Sequence, residues 1–399
     1  MPSGQKLRHT QPMPPSPEEL RQHYSWFLRK GRILLTGHSH QAWPDVAREA
    51  QLEAFDDAAL WVDDKWERAF QAGEDVRKAV ATRIGCSPKE IVLGANTHEL
   101  VMRFLSALPL RKRPRLITTQ GEFHSIRRQL ARLAEEGLEI VWIQTHPVES
   151  LAERLVRAID DRTSAILVSA VLYESAHLVP NLGELVALAN RQGVEVLIDA
   201  YHAFQALPFC VKDWGERAFI TGGGYKYAQW GEGNCFLRVP SDFDGKPFFT
   251  GWFAEFFTLD HQPTLSVVTY PSDPAYRFAG STYDPTSHYR ARAVARFFDA
   301  QGLTPQVLRE IYMRQTELIF ERLGGYFELF TPRTPLRGAF VALRVDAPSM
   351  WVNALRQRGI YVDARGSFLR IGPAPYITDA EIEEATAAMI ELKTKHGYT

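Results

Sequence analysis

The stretch VLIDAYHAFQALPF (196–209), with GGGYKYAQWGEGNCFL (222–237) close behind it, decides how this chain is read. The apolar run Val196, Leu197, Ile198 ends on a carboxylate, Asp199. A carboxylate at the end of a buried strand is costly unless it meets a partner. Alone, it reads equally well as a helix N-cap or a buried acceptor. It is not alone, because Lys226 follows three glycines and stands between Tyr225 and Tyr227. Glycine lets a backbone approach a ligand closely. A lysine at the mouth of a sheet, partly desolvated, can lose its proton near neutral pH and serve as an amine nucleophile. A lysine in a solvated turn would not need two flanking aromatics.

Outward from this pair the pattern alternates. It predicts helices over THELVMRFLSAL (97–108), SIRRQLARLAEEG (125–137), PVESLAERLVRAI (147–159) and GELVALANRQG (183–193). Between them lie the strand-like runs RLITT (115–119), EIVWIQ (139–144), SAILVSAV (164–171) and VEVLIDA (194–200), and AFITGGG (218–224) closes the series. Near-continuous apolar strands separated by helices indicate an α/β fold with a mainly parallel sheet covered on both faces. Ligands in such folds bind beyond the carboxyl ends of the strands, which selects Phe123, Ser169 to Tyr173, Asp199 to His202 and Gly222 to Lys226. The C-terminal part reads differently: a long helix at 304–323, strands AFVALRV (339–345) and SFLRIG (367–372), and helices at 350–359 and 379–395. This predicts a large domain over 45–290 and a smaller α+β domain made of 1–44 and 291–399, with a linker near 285–300.

The bulk numbers exclude several classes. Of the 399 residues 45% are hydrophobic and 23% charged, so a sizeable core is expected. A net charge of -1 offers no global field for nucleic acid or an anionic membrane. The basic run RKRPR (111–115) reads as a solvated turn. Cys86, Cys210 and Cys235 match neither a disulfide framework nor a zinc motif, and no metal site is expected. His38 and His40 alternate on one segment, but two ligands without a third do not make a metal centre. No run of 18 apolar residues occurs, and the proline-rich opening residues read as disordered rather than as a signal or anchor. A cytoplasmic protein is expected.

The Asp199 and Lys226 segments closely resemble the fold-type I, class V enzymes that use pyridoxal 5′-phosphate (PLP), and within that class kynureninase most of all. The resemblance extends through LLTGHSHQAWP (34–44), GANTHELVMRF (94–104), GEFHSIRRQL (121–130), GWF (251–253), RFAGST (277–282) and FLRIGPAPY (368–376). It implies the aspartate-aminotransferase-like PLP-transferase fold. It implies that Lys226 carries PLP as a Schiff base and moves protons, with Tyr225 taking part. Asp199 would pair with the pyridinium nitrogen, Phe123 would stack on the ring, and His202 would lie close to the ring oxygen or phosphate. Thr97, His98, Tyr225 and Trp252 would hold the phosphate. Thr282 would reach the phosphate of a neighbouring subunit, which implies a homodimer with sites at the interface. Arg370 would clamp the substrate α-carboxylate, a task that suits its planar fork.

The chain departs from the kynureninase pattern at Gly37-His38-Ser39-His40, at His124-Ser125-Ile126, where a carboxylate near the cofactor is expected to be missing, and at Tyr283. These positions are expected on the substrate side, with His38 and Tyr283 touching substrate. The expected activity is hydrolysis of the Cβ–Cγ bond of kynurenine or a related aryl-keto amino acid. The alternative is a class V aminotransferase or a β-eliminating lyase. A cysteine desulfurase is disfavoured because no cysteine follows Cys235. A non-enzymatic sensor is disfavoured because Lys226, Asp199 and Arg370 stand together.

Overall fold

A computed structural model of the chain describes residues 15–29, 31–258 and 267–397. The opening stretch expected to be disordered lies almost wholly outside them. In chain order the strands are β1 (Ile33–Leu34), β2 (Ile91–Gly94), β3 (Arg115–Thr119), β4 (Glu139–Ile143), β5 (Thr163–Ser169), β6 (Glu195–Asp199), β7 (Phe219–Gly223), β8 (Cys235–Arg238), β9 (Glu328–Leu329), β10 (Val341–Arg344), β11 (Ile360–Tyr361), β12 (Asp363–Arg365) and β13 (Phe368–Ile371).

The central sheet runs β2-β8-β7-β6-β5-β3-β4. Only β8 pairs antiparallel to both its neighbours; β7, β6, β5, β3 and β4 are parallel in series. The strands are apolar on both faces because both faces are covered. Ile166, Val168, Val196, Ile198 and Ile220 belong to one buried cluster. Ala165, Leu167, Leu197 and Phe219, the residues between them, belong to another. That is the period of two expected of a strand with core above and below.

Two long helices, Val46–Trp61 and Lys65–Ile84, pack against Thr286–Ala300. This last helix occupies the segment where a linker was expected. Tyr289, Val294 and Phe298 are buried along it, while Arg290, Arg292 and Arg296 interrupt the apolar pattern and hide the helix from a reading of hydropathy. β2 and β8 were likewise not anticipated.

The C-terminal part forms a four-stranded antiparallel sheet, β12-β13-β10-β9, with helices Pro305–Leu323, Pro348–Gln357 and Asp379–His396. The opening segment is stitched to it. β1 pairs with β11, Gly37 N–H donates to the Gly372 carbonyl (2.7 Å), and Gly372 N–H donates to Leu35 (2.8 Å). A buried chain of hydrogen bonds then runs from Tyr24 to Gln229 (2.5 Å), from Gln229 to Gln41 (2.7 Å) and from Gln41 to Tyr312 (3.2 Å). It ties the loop just after Lys226 to both ends of the chain. No helix among the described residues is long and apolar enough to cross a membrane.

Candidate active site

The parallel strands deliver their last residues to one place. Loops after β2, β3, β5, β6 and β7 converge on a cavity of about 240 Å³. Its lining includes seven residues given a cofactor role in the sequence reading, Thr97, His98, Phe123, Asp199, His202, Tyr225 and Lys226, together with Ser169, Val171, Tyr173 and Tyr201 from the strand-end stretches.

Lys226 is buried, and its Nζ lies 2.7 Å from His202 Nε2. Burial, with the Arg370 charge adding to it and Asp199 opposing it, pushes the lysine down to about 7. Burial also pushes the Asp199 carboxyl up and His202 well down. Asp199 accepts from the Tyr201 N–H at 2.8 Å. His202 Nδ1 is buried with no hydrogen-bond partner among the described residues. Lys226 Nζ sits 5.5 Å from the centre of the Phe123 ring and 4.8 Å from that of Tyr201. Tyr225 stacks on the exposed His40 (5.0 Å) and is pushed up to about 12 by burial.

The three glycines before Lys226 serve packing. A Cβ on Gly223 would lie 2.3 Å from Tyr201 Oη, and one on Gly224 would lie 2.6 Å from Trp230 Cβ. They let the lysine loop press against Tyr201 and Trp230.

At the start of helix Thr97–Ser106, Asn96 Oδ1 caps the Glu99 N–H at 2.9 Å. The preceding amides, those of Thr97 and His98, have no intrahelical acceptor, and both residues line the cavity. A helix start of this kind favours an anion. His98 Nδ1 also meets Gln129 Nε2 at 2.8 Å.

Other expected site residues lie elsewhere. Trp252 and Thr282 are exposed and bonded to each other, Nε1–H to Oγ1, at 3.2 Å. Thr282 and Tyr283 line a second, larger cavity of about 680 Å³, which shares Ala95 and Gly233 with the first. Tyr283 meets Trp66, Phe253 and His288 there. Arg370 is buried beside the first cavity and does not line it. Its Nε and Nη2 donate to Asp363 Oδ1 (2.8 Å) and Oδ2 (2.6 Å), and its Nη1 donates to the Tyr173 carbonyl (2.5 Å). His38 is buried on the far side of Asp363, with Nε2 donating to Oδ1 at 2.7 Å. Burial pushes His38 down to about 4 against the pull of Asp363. Burial pushes Asp363 up, but His38 and Arg370 outweigh it and hold the carboxyl well below the usual range.

One expectation needs correction. Ile126, placed on the substrate side by its departure from the family pattern, is fully buried in the core under helix His124–Glu135. A carboxylate that was not anticipated, Glu122, lies just before Phe123 and does not line the cavity. It is buried, accepts from Ser169 Oγ (2.6 Å), Ser169 N (3.1 Å) and Thr119 Oγ1 (2.6 Å), and is pushed up to about 7 by burial. Ser169 pairs with Asp199 across β5 and β6, so the two carboxyls share one end of the sheet. Neither Glu122 nor Asp363 was singled out in the sequence. Asp363 carried a usable signal, since a turn at Gly366 sets it opposite Arg370. Among the described residues no group of three or more His, Cys, Asp or Glu side chains could hold a metal ion. Cys235 is buried, with a thiol raised by burial, beside Tyr201 and Thr97.

Comparison with known proteins defines the class first. Residues 61–231 match the aminotransferase class-V family. The fold, with its mostly parallel sheet and C-terminal domain, is that of fold-type I PLP enzymes. A solved structure of C-DES, with glycine covalently linked to its PLP cofactor, superposes with a TM-score of 0.83 at 17% identity, over 93% of this chain and 99% of that one. The second step is more particular. Residues 308–389 match the kynureninase C-terminal domain, so the chain joins an aminotransferase class-V domain to a kynureninase C-terminal domain. Kynureninase from Bacillus cereus (strain ATCC 10987 / NRS 248) is 25% identical over 96% of this chain and 93% of its own length. The uncharacterized aminotransferase YcbU of Bacillus subtilis (strain 168) is 21% identical over 95% and 99%.

The cofactor of this class V enzyme is pyridoxal 5′-phosphate, and the residues present fit it. They supply a desolvated amine on Lys226 and a strand-end carboxylate on Asp199. His202 offers an unpartnered imidazole nitrogen, and Thr97 and His98 offer two helix-start amides for an anion.

Proposed function

We propose that the protein is a kynureninase-like hydrolase that cleaves the Cβ–Cγ bond of kynurenine or a related aryl-keto amino acid. The observation that carries this reading is Lys226, a buried amine poised at about 7, opposite Asp199 and backed by a C-terminal domain of kynureninase type. When bound, PLP supplies an electron sink for the pair left when the substrate loses its Cα proton.

The chain's own residues do the rest. Lys226 Nζ holds the cofactor and, once freed, takes the Cα proton; a pKa near the working pH suits a general base. Asp199 would hold a proton at the ring nitrogen and Phe123 would lie against the ring. Thr97, His98 and Tyr225 would hold the phosphate. Arg370 orients the substrate carboxylate, with His38 close to it. Trp252 and Thr282 are exposed and lie outside the Lys226 cavity, which supports a homodimer in which Thr282, with Trp252 bonded to it, reaches the neighbouring subunit's site.

Purified PLP-loaded protein incubated with L-kynurenine and 3-hydroxykynurenine should release alanine with anthranilate or its hydroxy form, read by mass spectrometry. Lys226→Ala should release neither. Absence of an aryl acid in the wild type sinks the hydrolase reading. A second reading, transamination, draws support from the similarity to YcbU over nearly the full length of both chains. It requires conversion of bound PLP to pyridoxamine phosphate by an amino donor, visible in the same experiment.

A further inference from the structure

Asp363 occupies the place on Arg370 that a ligand carboxylate would take. The β12–β13 register sets the two residues directly opposite one another. Asp363 binds the Nε/Nη2 edge in two parallel bonds of 2.8 and 2.6 Å, the geometry a substrate carboxylate would use. Nη1 is committed to the Tyr173 carbonyl, which leaves one N–H on Nη1 and one on Nη2. Both partners are largely out of solvent, with side chains 3% and 16% exposed. An arginine paired in this way presents no net charge to an incoming anion.

We propose that Asp363 is a specificity-determining residue that closes the carboxylate clamp until a ligand carboxylate displaces it from Arg370. The inference rests on Arg370 being the clamp. Displacement is possible because Asp363 has a second partner: His38 Nε2 already donates to Oδ1 and remains with it. The cost of parting Asp363 from Arg370 must be offset by the rest of the ligand. A carboxylate with nothing else to bury is therefore rejected, and an amino acid whose extended side chain fills the adjoining cavity is admitted. This is binding free energy from a remote group used to set geometry at the reacting end.

The test uses propionate, a carboxylate with no amine to react with the cofactor, titrated by calorimetry into the PLP-loaded protein. Asp363→Asn keeps the shape and removes the competing charge; Asp363→Ser is a second, smaller replacement. Both are first checked for an unchanged absorbance of the bound cofactor. Each should bind propionate about tenfold or more tighter than the wild type, the scale of one charge-assisted contact. Adding Arg370→Gln to Asp363→Asn should abolish the gain. Equal or weaker binding in both Asp363 variants, with binding lost in Arg370→Gln alone, overturns the competing role and leaves the clamp standing. A double variant that still binds as tightly as Asp363→Asn overturns both, because the carboxylate is then held elsewhere.

Discussion

The cofactor end of the cavity and the hairpin behind it treat charge in opposite ways. Around Lys226 the ionisable groups are buried and under-paired: the amine meets a low-pKa imidazole, Asp199 accepts from a backbone amide, and His202 Nδ1 has no partner among the described residues. Around Arg370 the guanidinium is answered on both edges, with Asp363 between it and His38 Nε2, although His38 Nδ1 also lacks a partner among the described residues. Burial without a partner shifts a pKa toward neutrality and makes a group reactive. Burial with a partner makes it structural until something better arrives. The first arrangement suits proton transfer and the second suits selection.

The largest effect that would sharpen this contrast is at the under-paired end. Lys226→Ala should lower turnover by about a thousandfold or more, in the range expected for loss of a positioned base. It should also abolish the absorbance of lysine-bound cofactor. Retention of either would mean that another group performs its role. Asp199→Asn follows, with a loss on the order of a hundredfold in kcat for removal of one buried electrostatic partner. A variant with full activity would show that the carboxylate is only a backbone acceptor.

At the closed end the cost should appear in stability. Asp363→Ala leaves Arg370 buried without its counter-charge, which should lower unfolding stability by about 3 kcal/mol in urea titrations. No change would break the comparison, since it would make the hairpin pair as dispensable as a surface one.

Glu122 gives the smallest effect and a defined sign. Its carboxyl is raised from 4.5 to about 7, so the folded protein binds more protons than the unfolded chain between those values. The stability it contributes is fully present below pH 4.5 and is lost as pH rises through 7. Between pH 4.5 and 8 the apo wild type should therefore lose about 2–3 kcal/mol relative to Glu122→Gln. Parallel pH profiles for the two proteins would place Glu122 outside the titrating set.

The parts of the site that were legible in the sequence are those carried on strand ends. β6 runs into Asp199 and β7 runs into the Lys226 loop, and both were visible because a strand buried on both faces is an unbroken apolar run. The helix Thr286–Ala300 was missed for the converse reason: Arg290 and Arg292 bond to Trp230, Gln51 and Glu53 and lie within the packing. The glycines before Lys226 were visible as a motif, but their reason was not, because it depends on β6 bringing Tyr201 alongside and on the loop folding Trp230 back onto Gly224.

By itself the sequence determined the alternation that makes the sheet, the class of cofactor chemistry and seven residues of the cavity. The alternation follows from periodicity, and the cofactor class from the resemblance of local motifs to class V enzymes; both depend on neighbours along the chain. Only the tertiary structure decided that Glu122 joins Asp199 at one end of the sheet, that Ile126 belongs to the core, and that Asp363 closes the fork of Arg370. Each of these depends on what lies across a strand pair or under a helix. Burial and partner, rather than residue type, set whether a charge is free to react.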